Sequence, residues 1–329
     1  MRNLLPILFS LAGLFFVGCG KSSDSSDAKS PAKTKLSFIT NVSADFWTYA
    51  EAGTRAAERE FGDIEVIFRS GDGTTAKQKQ IVDDLLAAGV KGVAISPTSA
   101  TNQIRMINEW VKDAHVICVD SDAPGSDRIT YLGTDNIAAG RQLGELAKEA
   151  LPDGGKVMVF VGIKDQQNAI ERFQGFNEAI AGSGIEVIDL RTDGADAAKA
   201  RANAEDTLTA HPDVAALVGL WAYNAPACLE AVRAAGLIGK VQILSFDEAP
   251  KTLVAIDAGE IYGTVIQDPY TFGYDSMALL RALAVEGKTP TEAGVPTGRV
   301  IHVPTKVLRK GEGLAYKVQC DAWKASIGN

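Results

Sequence analysis

From residue 35 onward the chain alternates short β-rich runs with helical stretches, and this alternation restricts the fold more than any other feature. Strand-like runs at 36–40, 64–69, 93–95, 116–119 and 129–132 are separated by helical spacing at 46–61, 76–88 and 102–112. In the helix at 76–88, Ile81, Leu85 and Leu86 supply the apolar face. The pattern restarts after Gly154-Gly155, with strands at 157–161, 185–190, 214–220, 241–246 and 262–266, again separated by helices. A βαβα order implies parallel sheets, because right-handed crossovers lay helices on both faces. Runs rich in Val, Ile and Ala with little polar alternation fit strands buried on both sides.

Two halves of similar design follow. Val116-Ile117-Cys118-Val119-Asp120 in the first parallels Ile243-Leu244-Ser245-Phe246-Asp247 in the second. In open α/β sheets, ligands bind beyond the carboxyl ends of strands. A matched pair of strand-ending aspartates therefore reads as one cleft between two facing lobes, although each alone would serve as a turn or helix cap.

The amino terminus reads as an export signal. Arg2 precedes an apolar run from residue 4 to 18 that is broken only by Pro6 and Ser10. That is too short for a bilayer-spanning helix of about 20 residues, and it has the layout of a secretory leader. The run ends Phe16-Val17-Gly18-Cys19-Gly20. This resembles a bacterial lipobox, in which Cys19 would carry the lipid, although Phe16 departs from the usual Leu. Residues 20–34 contain no large apolar side chain and read as a flexible tether. The remaining 295 residues of the 329 suit two domains. A net charge of -8 disfavours nucleic acid as a partner. Besides Cys19 there are Cys118, which reads as core, and Cys228 and Cys320, for which a bridge stays open.

Several stretches together resemble the type I periplasmic binding proteins of ABC sugar transporters, specifically the ribose-binding-like group. They include Phe46-Trp47, Ile95-Ser96-Pro97-Thr98, Val119-Asp120, Thr134-Asp135-Asn136, Glu171-Arg172-Phe173-Gln174-Gly175-Phe176, Ser245-Phe246-Asp247 and Ile266-Gln267. The similarity runs over residues 35–305. It implies an α/β fold of two Rossmann-like, doubly wound parallel-sheet lobes joined by a hinge that the chain crosses three times. The expected division is a leader at 1–18, a tether at 19–34, a first lobe of 35–134 plus 268–300, and a second of 135–267 plus 301–329.

The resemblance also implies a ligand-binding set. Phe46 and Trp47 would stack on a sugar ring; as a purely structural pair, two consecutive aromatics are too close to share one core. Asp120 and Asp247 would accept from hydroxyls and Arg172 would donate, and such charge-assisted bonds are worth roughly 1.5–3 kcal/mol each. Trp221, Thr134 and Gln267 complete the set. Three departures stand out. Ala44 replaces a hydrogen-bonding Asn, Ser121 replaces an Arg, and Trp221 occupies a polar amide's position. They make ribose itself a poorer fit and point to more stacking.

Other chemistry finds little support. Gly71-Asp72-Gly73-Thr74-Thr75-Ala76 superficially matches a dinucleotide fingerprint, but it follows the second strand rather than the first. It reads as a turn with Thr74 or Thr75 capping the next helix. His115, His211 and His302 are scattered, so neither a metal nor a cofactor is expected. Transcription regulators with the same two-lobed core begin with a helix-turn-helix, where this chain has a leader. The expectation is a non-enzymatic, monomeric, periplasmic lipoprotein that captures a monosaccharide or similar solute for an ABC permease. Its alternative is a sensor presenting a sugar or furanosyl signal to a membrane receptor.

Overall fold

The computed structural model describes residues 32–328; the expected leader, Cys19 and the tether up to residue 31 lie outside the described residues. The first half runs β1 (Thr34–Ile39), α1 (Phe46–Phe61), β2 (Ile64–Arg69), α2 (Thr75–Ala87), β3 (Gly92–Ile95), α3 (Ile104–Trp110), β4 (His115–Val119) and β5 (Tyr131–Gly133). The second runs α4 (Asn136–Ala150), β6 (Gly155–Val161), α5 (Gln167–Ile180), β7 (Ile185–Thr192), α6 (Ala197–Ala210), β8 (Val214–Gly219), α7 (Asn224–Ala234), β9 (Gln242–Phe246), α8 (Pro250–Ala258) and β10 (Gly263–Ile266). It ends with α9 (Pro269–Ala284), β11 (Val300–His302), β12 (Lys306–Arg309) and α10 (Gly313–Ala325).

Two six-stranded sheets result, ordered β11-β5-β4-β3-β1-β2 and β12-β10-β9-β8-β6-β7. Pairing is parallel throughout except at the edge, where β12 runs antiparallel to β10. This is the two-lobed α/β architecture that the alternation predicts. The central strands are buried on both faces, as with Val93-Ala94-Ile95 and Leu217-Val218, all at 0% exposure.

Some expectations need adjustment. β1 starts at Thr34, one residue inside the expected tether, because Thr34 pairs with Ile64. α3 is shorter than the spacing at 102–112 predicts, since turns flank it on both sides. Thr74 is the cap of α2, its hydroxyl accepting from the Lys77 amide at 3.2 Å. Cys118, Cys228 and Cys320 are buried free thiols, so Cys228 and Cys320 form no bridge.

The chain passes between the sheets three times: from β5 to α4, from β10 to α9, and from β11 to β12. Each lobe is locked by a reciprocal glycine contact between helices. In the first, a Cβ on Gly53 would lie 2.0 Å from the Tyr270 carbonyl, and one on Gly273 2.0 Å from that of Ala50. In the second, Gly140 would meet the Arg172 carbonyl at 2.2 Å and Gly175 that of Ile137 at 2.0 Å. Only glycine permits backbones to approach so closely. At the end of the chain, α10 packs on α8 of the second lobe and α1 of the first. Its Trp323 stacks on Tyr270 of α9, with ring centroids 5.2 Å apart.

Candidate functional site

Strands β4 and β9 end in Asp120 and Asp247, and both aspartates adopt the left-handed backbone conformation, with φ of 60° and 70°. That conformation is uncommon outside glycine but tolerated by Asp and Asn. It turns each chain sharply off its sheet and leaves both carboxylates buried, at 3% and 4% exposure. Neither caps a helix. Asp120 accepts from Ser96 Oγ at 3.0 Å and from Asn168 Nδ2 at 3.2 Å, whereas Asp247 accepts from Gln267 Nε2 at 2.7 Å.

Arg172, on α5, lies between them. Its alternative reading as an exposed helix arginine fails, since it is 1% exposed. Nε donates to Asn136 Oδ1 and Nη1 to the Leu220 carbonyl, each at 2.9 Å. The guanidinium also rests over the Phe246 ring, 4.4 Å from its centroid. Nη2 and Nη1 stand 4.0 Å from Asp120 and Asp247 respectively. That spacing makes each a loose ion pair rather than a hydrogen-bonded one.

These three charged groups line a small cavity of about 40 Å³ between the two lobes. Phe46, Trp47, Trp221 and Gln267 line it too, so the structure brings seven of the eight expected residues together. Thr134 is the exception. It sits behind the wall, where its hydroxyl donates to Gln267 Oε1 at 2.7 Å and fixes the amide that holds Asp247.

The aromatics both line the cavity and fill cores, so the choice between site and core does not arise. Phe46 and Trp47 belong to one hydrophobic cluster, contrary to the expectation for consecutive aromatics. They manage this at the first turn of α1 by meeting edge to face at 5.0 Å, with Trp47 also reaching Phe38. Trp47 Nε1 is oriented by Asn41 Oδ1 at 3.0 Å. Trp221 packs in the second lobe's core and needs Gly162, where a Cβ would lie 2.1 Å from its ring. Ser121, at the position of the missing arginine, is fully buried with its hydroxyl unpaired.

Asn41, Asn168 and Tyr223 also line the cavity and were not anticipated. Asn168 had a legible signal, since it lies four residues before Arg172 on the same helix face. Tyr223 is anchored by its hydroxyl to the buried Asp193.

Burial dominates the electrostatics. It raises the Asp120 carboxyl to about 6, against the lowering effect of Arg172, with the Asp247 charge raising it further. Burial raises Asp247 as well, again opposed by Arg172. Three polar atoms in the wall, Arg172 Nη2, Trp221 Nε1 and Asn168 Oδ1, have no hydrogen-bond partner. Two are donors and one is an acceptor. Among the described residues no cluster of metal-ligating side chains occurs.

Comparison with known proteins agrees with this geometry. Residues 36–289 match the periplasmic binding protein domain. The chain is 28% identical over 263 residues to the ribose import binding protein of Salmonella typhimurium, covering 77% of this chain and 87% of that one. It is 25% identical over 252 residues to the D-ribose/D-allose-binding protein of Pseudomonas aeruginosa, covering 73% and 79%. The structure of a glucose-galactose binding protein from Geobacillus stearothermophilus superposes with a TM-score of 0.77 at 27% identity, covering 84% and 97%. These relatives are binding proteins rather than enzymes. The chain belongs to the periplasmic binding protein family, type I, in the group that resembles the ribose-binding proteins.

Proposed function

We propose that this protein captures a monosaccharide between its two lobes and delivers it to an ABC importer, held at the membrane by a lipid on Cys19. One observation carries the reading. Two buried carboxylates, a buried guanidinium and three unpaired polar atoms converge on one small cavity between the lobes. An unpaired buried polar group costs about 1–3 kcal/mol, so the wall calls for a ligand dense in groups that both donate and accept. Hydroxyls do both. The aromatic rings of Phe46, Trp47 and Trp221 suit the apolar C–H faces of a sugar ring. The relatives named for ribose, allose, glucose and galactose support the same class.

The cavity carries two acids against one base, which disfavours anionic solutes such as sugar phosphates. A micromolar affinity, roughly -8 kcal/mol, is within reach of a few charge-assisted bonds plus stacking. Isothermal titration over pentoses and hexoses is expected to find at least one such ligand. The absence of any among them would end this reading. For the anchor, Cys19→Ala is expected to move the protein from the membrane fraction to the soluble fraction. Retention on the membrane would refute lipidation at Cys19.

A further inference from the structure

The aromatic wall that the second lobe turns to the cavity is one short loop. Trp221, Ala222 and Tyr223 lie between β8 and α7, and all three line the cavity. Trp221 and Tyr223 meet edge to face, with ring centroids 6.4 Å apart. They meet over Gly162, where a Cβ would lie 2.1 Å from the Trp221 ring and 2.6 Å from the Tyr223 hydroxyl.

The group that fixes this corner lies behind it. Asp193, just past β7, is 1% exposed and is not among the residues lining the cavity. Its Oδ1 accepts from the Tyr223 hydroxyl and, at 2.9 Å, from the Ala195 amide; its Oδ2 accepts from Asn224 Nδ2 at 3.1 Å. Asn224 is fully buried, and its Oδ1 in turn accepts from the Trp221 amide at 3.0 Å. One carboxylate therefore holds the Tyr223 ring directly and the Trp221 backbone through a single amide. The loop that carries it is pinned as well, the Gly194 amide donating to the Gly162 carbonyl at 2.9 Å.

A turn-capping role accounts only for the Ala195 bond. The other two reach residues thirty and thirty-one positions away. Burial raises the Asp193 carboxyl, and the groups that oppose this are Tyr223, Ala195 and Asn224, with no cation among them. A buried carboxylate without a counter-ion is costly, and a neutral Asn or Ser would cap the turn as well. What the carboxylate adds is stronger, better-directed bonds than a neutral acceptor makes, and they go to two residues at the cavity wall. Ala195 beside it adopts a left-handed conformation, φ 65°, which persists in a non-glycine residue only where the surroundings hold it.

We propose that Asp193 is a positioning residue for ligand binding: acting through Tyr223 and Asn224, it sets the angle that the second lobe's aromatic wall presents to the sugar, and so selects among sugars. This rests on the monosaccharide reading of the cavity and adds a determinant of specificity to it.

The test titrates the purified protein and its variants with pentoses and hexoses. Asp193→Asn keeps the size but sets an amide NH2 against another donor, either Asn224 Nδ2 or the Ala195 amide, and is expected to weaken the best sugar at least tenfold. The ratio of affinities for the best and second-best sugars is expected to shift at least threefold, which a loss of stability alone would not produce. Adding Asn224→Asp to Asp193→Asn exchanges donor and acceptor between the two side chains while keeping acceptors for the Tyr223 hydroxyl and the Trp221 amide. That pair is expected to return affinity to within threefold of the parent. Tyr223→Phe, which removes only the hydroxyl that Asp193 holds, is expected to shift the same ratio should Asp193→Asn fold poorly. If Asp193→Asn and Tyr223→Phe bind every sugar within twofold of the parent, or weaken all sugars by one common factor, or if Asn224→Asp restores nothing, Asp193 is structural only and the monosaccharide reading stands. If the parent protein binds no pentose or hexose, both fall.

Discussion

At the scale of single residues, the two strand-ending aspartates dictate how the site should be probed. Alanine at φ near 60–70° costs about 1–2 kcal/mol of backbone strain, which would be confused with lost binding. Asparagine tolerates the same conformation, so Asp120→Asn and Asp247→Asn remove the charge alone. Each is expected to weaken the best sugar roughly ten- to hundredfold by titration, the loss of one charge-assisted bond. Asp120 also sets a pH dependence. Its folded value of about 6 lies above the ordinary 3.8. Its contribution therefore favours the folded state fully below 3.8 and is lost as pH rises through 6. Hydroxyls donated by a ligand favour the ionised form, so stabilisation by ligand should grow from pH 5 to pH 7 and sugar binding near pH 6 should release a proton. Thermal melts with and without sugar would show this, and Asp120→Asn should flatten the trend. Asp120 and Asp247 were legible because a strand end is visible in one chain. Asn41 and Tyr223 were not, because their place in the cavity wall comes from what folding sets opposite them.

At the scale of elements, the helix pairs explain why the arginine stands where it does. Arg172's own carbonyl faces Gly140, and Gly175, three residues further along α5, faces α4 in return. Gly140→Ala and Gly175→Ala would each force the helices apart, an overpacking cost of about 1–3 kcal/mol. A melting temperature lower by several degrees is expected, with sugar affinity reduced because the guanidinium is displaced. Gly53→Ala should lower the melting temperature comparably through α1 and α9, yet move Arg172 little. Strands and helices of the alternating core were readable from their periods. β11 and β12 were not, since three and four residues show no period, and the antiparallel edge formed by β12 contradicts a purely parallel expectation. α10 lies beyond the matched residues 36–289 and follows no signal that the alternation provides.

At the scale of the whole molecule, the lobes are joined by side chains as well as by the three passages of the chain. Asn168 of the second lobe reaches Asp120 of the first, Gln166 donates to the Pro97 carbonyl at 3.1 Å, and Thr134 bonds Gln267 across the hinge. Thr134→Val keeps the shape and removes the hydroxyl, a loss of about 1 kcal/mol, so sugar affinity should fall severalfold with little change in melting temperature. Sugar binding should also alter the fluorescence of Trp47 and Trp221, and that response should survive in the Trp110→Phe, Trp323→Phe double variant. The last helix adds a constraint of another kind. Because α10 touches α8 on one lobe and α1 on the other, with Trp323 laid against Tyr270, the lobes cannot swing wide without peeling an aromatic face into water. A fluorescent protein or affinity tag fused after residue 329 would hang its weight on that joint. A biosensor built from this protein would be better labelled elsewhere.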